Sequence, residues 1–110
     1  MIEINAVHDL GGVLQSCSVE GHANTAVKGS DIVCAAVSAL IIAASETLSS
    51  QGGIKSDLEA PGRGLFYLKT SATGTYDRIF LKAVGDFLIN GLKAVAREYP
   101  QNCSINIVNL

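Results

Sequence analysis

Charge is scarce in this sequence. Lys, Arg, Asp and Glu make up 16% of 110 residues and the net charge is −2. The eight basic residues are scattered, so no clustered Lys/Arg surface is available for phosphates and direct nucleic-acid binding is not expected. The opening residues, MIEINAVHDL, lack a basic stretch followed by an apolar one, so no export signal is read there. The expected compartment is the cytoplasm. The longest apolar run, 32–44 broken only by Ser38, falls short of the roughly 20 residues that cross a bilayer. It reads as a buried helix, and no membrane association is expected. Three cysteines, Cys17, Cys34 and Cys103, are odd in number and widely spaced, which suits neither a disulfide framework nor a paired C-x-x-C metal site. Internal repeats, low-complexity tracts and linkers are also lacking.

What is present is apolar: 48% of the residues, enough for one dense core in a chain of this length. Residues 1–110 are therefore read as a single domain whose lightly charged surface leaves room for a subunit interface. IEINAVH (2–8) is rich in β-branched residues, and Gly11-Gly12 after Asp9 signals a turn into a second strand, roughly 13–20. That strand alternates in its burial pattern with one irregularity at Leu14. Residues 23–30, ANTAVKGS, read as a surface loop. A helix capped by Ser30 or Asp31 runs from there to the SSQGG stop and is apolar nearly all round, so it should be covered on most sides. Two further strands, 54–60 and 63–70, flank a turn at Pro61-Gly62. Residues 75–98 form an amphipathic helix whose apolar face is assigned to Phe80, Val84, Phe87, Leu88, Leu92 and Val95. Gly85 and Gly91 inside it imply close packing. CSINIVNL closes the chain as a strand. The order is ββαββαβ, an α+β (mixed α/β sandwich) fold with two helices on one small sheet of about five strands.

The chemistry concentrates in GHANTAVKGSDIVCAAVSAL, residues 21–40. Cysteine reacts as thiolate, favoured by a helix N-terminus or a neighbouring imidazolium. With Asp31 as N-cap, Cys34 falls in the helix's first turn, where unpaired amides favour an anion. His22, at the end of the preceding strand, is placed to take the thiol proton and return it to a leaving amine. Asp31, Cys34 and Ser38 share one helical stripe. Asp31 either caps the helix or orients the imidazole, and Ser38 either donates to a reacting carbonyl or bonds back to the Cys34 carbonyl. The intervening loop, with Ala23, Asn24, Gly29 and Ser30, is the segment that meets substrate. Against this stands the reading of Cys34 as a packed core thiol. A non-catalytic binding protein would then result, and a third reading keeps Cys34 as the lone reactive thiol of a redox sensor. Zinc held by His22, Cys34 and a third ligand lacks the usual ligand spacing, and no metal site is assigned. Cys17 and Cys103 read as core thiols and His8 as a turn or surface residue.

Gly21-His22-Ala23, Gly29 and the run Asp31-Ile32-Val33-Cys34-Ala35-Ala36-Val37-Ser38-Ala39-Leu40 resemble the signature of the ribosomal-processing cysteine protease family Prp. The resemblance extends over the whole chain, and within it Asn24 to Lys28 depart from the family pattern. It implies a His22–Cys34 catalytic dyad, with Asp31 and Ser38 at supporting positions and no cofactor. It further implies a homodimeric endopeptidase that removes the N-terminal extension of the twenty-seventh large-subunit ribosomal protein, cutting after a hydrophobic segment with paired phenylalanines. An apolar groove for that segment is then required.

Overall fold

The computed structural model describes residues 1–21, 28–62 and 64–110, with backbone alone for 28–31. Five strands and two helices follow in the order β1 (Ile2–His8), β2 (Leu14–Gly21), α1 (Lys28–Ser49), β3 (Ile54–Gly62), β4 (Leu65–Ala72), α2 (Thr75–Glu98) and β5 (Cys103–Asn109). This is the expected ββαββαβ α+β fold. The strands form one sheet in the order β3-β4-β2-β1-β5, antiparallel except for the parallel β1–β5 pair that α2 makes possible by crossing over.

Strand alternation sends Ile2, Ile4, Ala6, Cys17, Val19, Phe66 and Leu68 to one face, where Val33, Val37 and Ile41 of α1 meet Leu88, Ile89 and Leu92 of α2. The opposite sheet face is polar and uncovered, as antiparallel sheets commonly allow. A second cluster of Val13, Leu48, Ile54, Ala72 and Leu81 closes the core at the β1–β2 turn. The irregularity at Leu14 is a β-bulge. Val7 pairs with Ser16 but His8 with Leu14, so Gln15 is the extra residue and both Val13 and Leu14 point inward.

The β1–β2 turn is organised by Asp9. Its carboxylate accepts from the Gly11 and Val13 amides at 2.9 and 3.1 Å and from Arg78 Nη2 at 3.0 Å. Gly12 there takes φ +77°, a left-handed value that suits glycine. The β3–β4 reversal falls later than Pro61-Gly62. Gly62 pairs with Leu65, and Gly64 supplies the positive φ (+77°) that proline cannot adopt. Pro61 sits where the register slips between Glu59 and Gly62, on an edge strand that tolerates its missing N–H.

Helix α2 buries Leu81, Gly85, Leu88, Ile89 and Leu92, while Phe87 is 74% exposed. The buried stripe is thus rotated from the expected one. Its centre is a glycine, which adds no hydrophobicity to mark it, and a Cβ at Gly85 would stand 2.8 Å from Leu14 Cβ. At Gly91 a Cβ would meet Leu40 Cδ2 at 2.9 Å. Close packing at both glycines is therefore as expected. The helix ends as Tyr99 N–H returns to the Val95 carbonyl and Pro100 stops further winding.

Helix α1 starts at Lys28, earlier than Ser30 or Asp31, so Lys28, Gly29 and Ser30 are helical rather than loop. Gly29 costs only about 1 kcal/mol in a helix, a penalty that tertiary packing readily overrides. Ile32–Ser49 is long and apolar enough by length and composition to cross a membrane. Here it serves as a core helix, with Val33, Val37, Ile41 and Leu48 at 0–1% exposure. Its cover is one-sided, however: Ile32, Ala35, Ala39, Ile42 and Ala43 remain exposed, because a two-layer fold has nothing outside its helices.

Candidate active site

Cys34 lies at one end of the two-layer core, at the seventh position of α1. It is free and half-buried. The thiol borders a small apolar cavity of about 10 Å³, walled by Ile2 of β1, Val19 of β2, Val37 and Ser38 of α1, Gly64 of the β3–β4 turn and Phe66 of β4. Such a space holds about one water and no amino-acid side chain. The sheet places these walls together through two register pairs, Ile2 with Gly21 and Val19 with Phe66. The apolar wall residues carry no sequence signal that separates them from ordinary core.

The helix start removes one element of the sequence-based chemistry. Cys34 is not in the first turn. It lies six positions on from Lys28, about 9 Å along the axis, whereas the stabilisation of an anion by a helix N-terminus fades within the first turn. Its own amide lies in the helix interior, where i→i−4 bonding occupies it. Ser38 resolves its two alternatives: its hydroxyl donates to the Cys34 carbonyl at 2.6 Å. Cys34 and Ser38 therefore do share a stripe and a cavity. Of the other site residues, His22, Ala23 and Asn24 lie outside the described residues, and Gly29, Ser30 and Asp31 are described by their backbone alone.

The remaining cysteines are core thiols. Burial pushes Cys17 up to about 12 from an ordinary 9.0 and raises Cys103 as well. Both are 1–2% exposed. His8 is the last residue of β1, where the strand reading of 2–8 places it. Its Nδ1 lies 3.2 Å from Asn109 Oδ1, and its buried Nε2 has no partner among the described residues. His8 pairs with Leu14 while Ile2 pairs with Gly21, so His8 stands at the far end of β1 from the Cys34 cavity, about 20 Å away at strand rise. A larger polar groove of about 640 Å³ runs along the β3 edge past Ser45, Ser49, Asp57, Glu59 and Lys69. Among the described residues its lining contains neither cysteine nor histidine. Among the described residues no three His, Cys, Asp or Glu side chains gather as metal ligands.

Comparison with solved structures places the fold among close likenesses. SMU.848 from Streptococcus mutans superposes with a TM-score of 0.83 at 23% identity, covering 100% of this chain and 96% of that one. The essential ribosomal processing protease Prp from S. aureus, in complex with a substrate peptide, gives 0.81 at 19% identity, covering 97% and 99%. The same S. aureus protease with a covalently linked product peptide gives 0.79 at 21% identity, with the same coverage. At these identities the likeness is one of fold. No curated protein matches the chain. The family model for cysteine protease Prp matches residues 1–104, nearly the whole sequence and including the cavity-lining cysteine, and the chain therefore belongs to the Prp family of cysteine proteases.

Proposed function

We propose that this cysteine protease uses His22 and Cys34 as its dyad to remove the N-terminal extension of the twenty-seventh large-subunit ribosomal protein during ribosome maturation. The observation that carries the reading is the placement of Cys34: a free, half-buried thiol at an apolar cavity, at the sheet end where β2 finishes in Gly21, the residue bonded to His22. The sequence holds two histidines, and His8 is at the far end of β1. His22 is then the histidine left to act as base. Since α1 gives Cys34 little help from its first turn, activation of the thiol falls on that imidazole.

In the reaction His22 takes the proton from Cys34 Sγ, and the thiolate attacks the scissile carbonyl. As the tetrahedral intermediate collapses, the C–N bond breaks and the protonated imidazole gives its proton to the leaving amine. Water, deprotonated by His22, then hydrolyses the thioester and restores the thiol. Asp31 and Ser38 support the site, Ser38 by its bond to the Cys34 carbonyl. Ala23, Asn24, Gly29 and Ser30 contact the substrate segment.

The S. aureus protease of the same fold has been captured with a substrate peptide and with a covalently linked product peptide, which supports a peptide substrate from ribosomal processing here. Cytoplasmic location follows from that substrate. The working unit is a homodimer closed by the outer face of the helices, supported by an apolar groove of about 270 Å³ between Ala39, Leu40 and Ala43 of α1 and Val84 and Phe87 of α2.

A peptide spanning the extended N-terminus of the host's ribosomal protein, incubated with wild type, Cys34→Ala and His22→Ala and read by mass, tests the proposal. Two fragments from wild type alone are expected. An intact peptide with wild type contradicts the substrate assignment, and equal cleavage by all three contradicts the dyad.

A further inference from the structure

Two backbones meet beside the Cys34 cavity with no side chain between them. Gly64 takes φ +77°, and a Cβ added to it would stand 2.6 Å from the Gly21 carbonyl oxygen. Gly21 is equally confined on its other side: its own Cβ would stand 2.7 Å from Ile2 Cγ1 and 2.9 Å from Ile2 Cα. The last residue of β2 is therefore held between β1 and the β3–β4 turn. Ile2 and Gly64, the two sides of this clamp, are also walls of the Cys34 cavity.

We propose that Gly64 is a positioning residue for the cleavage reaction, fixing the end of β2 from which His22 follows relative to the thiol of Cys34. The proposal rests on the His22–Cys34 reading above. The clamp holds Gly21, the residue bonded to His22, and Ile2 and Gly64 also wall the Cys34 cavity, so main-chain contact at Gly21 sets where the chain toward the proposed base begins. Restoring an ordinary Cβ–O separation at Gly64 requires a shift of roughly 0.5–1 Å, on the scale that removes a base from its 2.6–3.2 Å hydrogen-bonding range. A displacement of that size lowers turnover by about 10²-fold.

Gly12 provides an internal control. It has the same φ of +77°, but a Cβ there would meet only Lys82 Nζ at 3.8 Å, and it lies in the β1–β2 turn at the other end of the sheet. Gly12→Ala thus carries the backbone strain without the collision. The test measures thermal stability, kcat and KM on the ribosomal-protein peptide, and the pH profile of Cys34 alkylation by iodoacetamide, in Gly64→Ala, Gly12→Ala and His22→Ala. The expected result is that Gly64→Ala loses about 100-fold in kcat with a smaller change in KM, and that its alkylation profile moves toward that of His22→Ala. Gly12→Ala should lose stability yet keep the wild-type kcat and profile. If Gly64→Ala fails to fold, Gly64→Asn keeps the Cβ collision on a residue that tolerates positive φ, and the same kinetic result is expected from it. Wild-type kcat and profile in the folded Gly64 variant, with His22→Ala shifted, overturn the positioning role alone. An unshifted profile in His22→Ala overturns the dyad and the positioning role together.

Discussion

Three thiols in one small domain have different surroundings. Cys17 and Cys103 are enclosed by the sheet and the helices, and burial holds both in the thiol form, whereas Cys34 opens on a cavity at the molecule's end. Brief treatment of the native protein with iodoacetamide near neutral pH should therefore add one label, located at Cys34 by peptide mapping. Labels on Cys17 or Cys103 at comparable rates would contradict that separation. Cys17 also sets a pH dependence. The folded state keeps its proton up to about 12 while an unfolded thiol releases it near 9.0, so the unfolded state loses a proton first and stability falls as pH rises through that window. The slope from this one residue is at most about 1.4 kcal/mol per pH unit. Urea midpoints above pH 9 should fall less steeply for Cys17→Ala than for the parent; parallel curves would mean that Cys17 does not carry the effect.

Among the elements, α2 shows where a glycine replaces a side chain in the packing. Gly85→Ala gains helix propensity of about 1 kcal/mol but drives a Cβ against Leu14 Cβ, which is anchored next to backbone, so a net loss of about 1–2 kcal/mol is expected. Gly91→Ala meets only the methyl end of Leu40, which can turn away, and should be nearly neutral. Urea unfolding of the two variants checks the order, and equal losses would contradict it. The same helix shows the limits of reading the sequence. The extents of β1 and β5, the stop at Pro100 and the order of elements follow from alternation and turn residues, which are local. The buried face of α2 does not, because Gly85 is invisible to a hydrophobic pattern and Phe87 misleads it. The start of α1 was equally hidden, since Lys28-Gly29-Ser30 has weak preferences that packing decides. The reactive residue type at position 34 was legible, but the Ile2, Gly64 and Phe66 walls come from three separate strands or turns and meet only through the sheet.

For the whole molecule, the two-layer architecture leaves apolar surface on the outside of its helices, where Phe87 and the exposed alanines of α1 border one groove. A second copy covering that surface predicts that Phe87→Glu shifts the protein to monomer in sedimentation velocity while its unfolding midpoint as a monomer is little changed, the ring being outside the core. An unchanged sedimentation coefficient would place any dimer contact elsewhere. The cavity end is distinct from this groove along α1, since Cys34 precedes Ala39 by more than one turn. Loss of the dimer should therefore leave iodoacetamide labelling of Cys34 intact.

The account turns on Cys34 as the nucleophile that carries the acyl group. Wild-type protein mixed with the ribosomal-protein peptide and quenched in acid during turnover should gain the mass of the N-terminal fragment less one water, with the adduct mapped to Cys34 and absent from Cys34→Ala. Turnover with no adduct on the Cys34 peptide and undiminished cleavage by Cys34→Ala would contradict it.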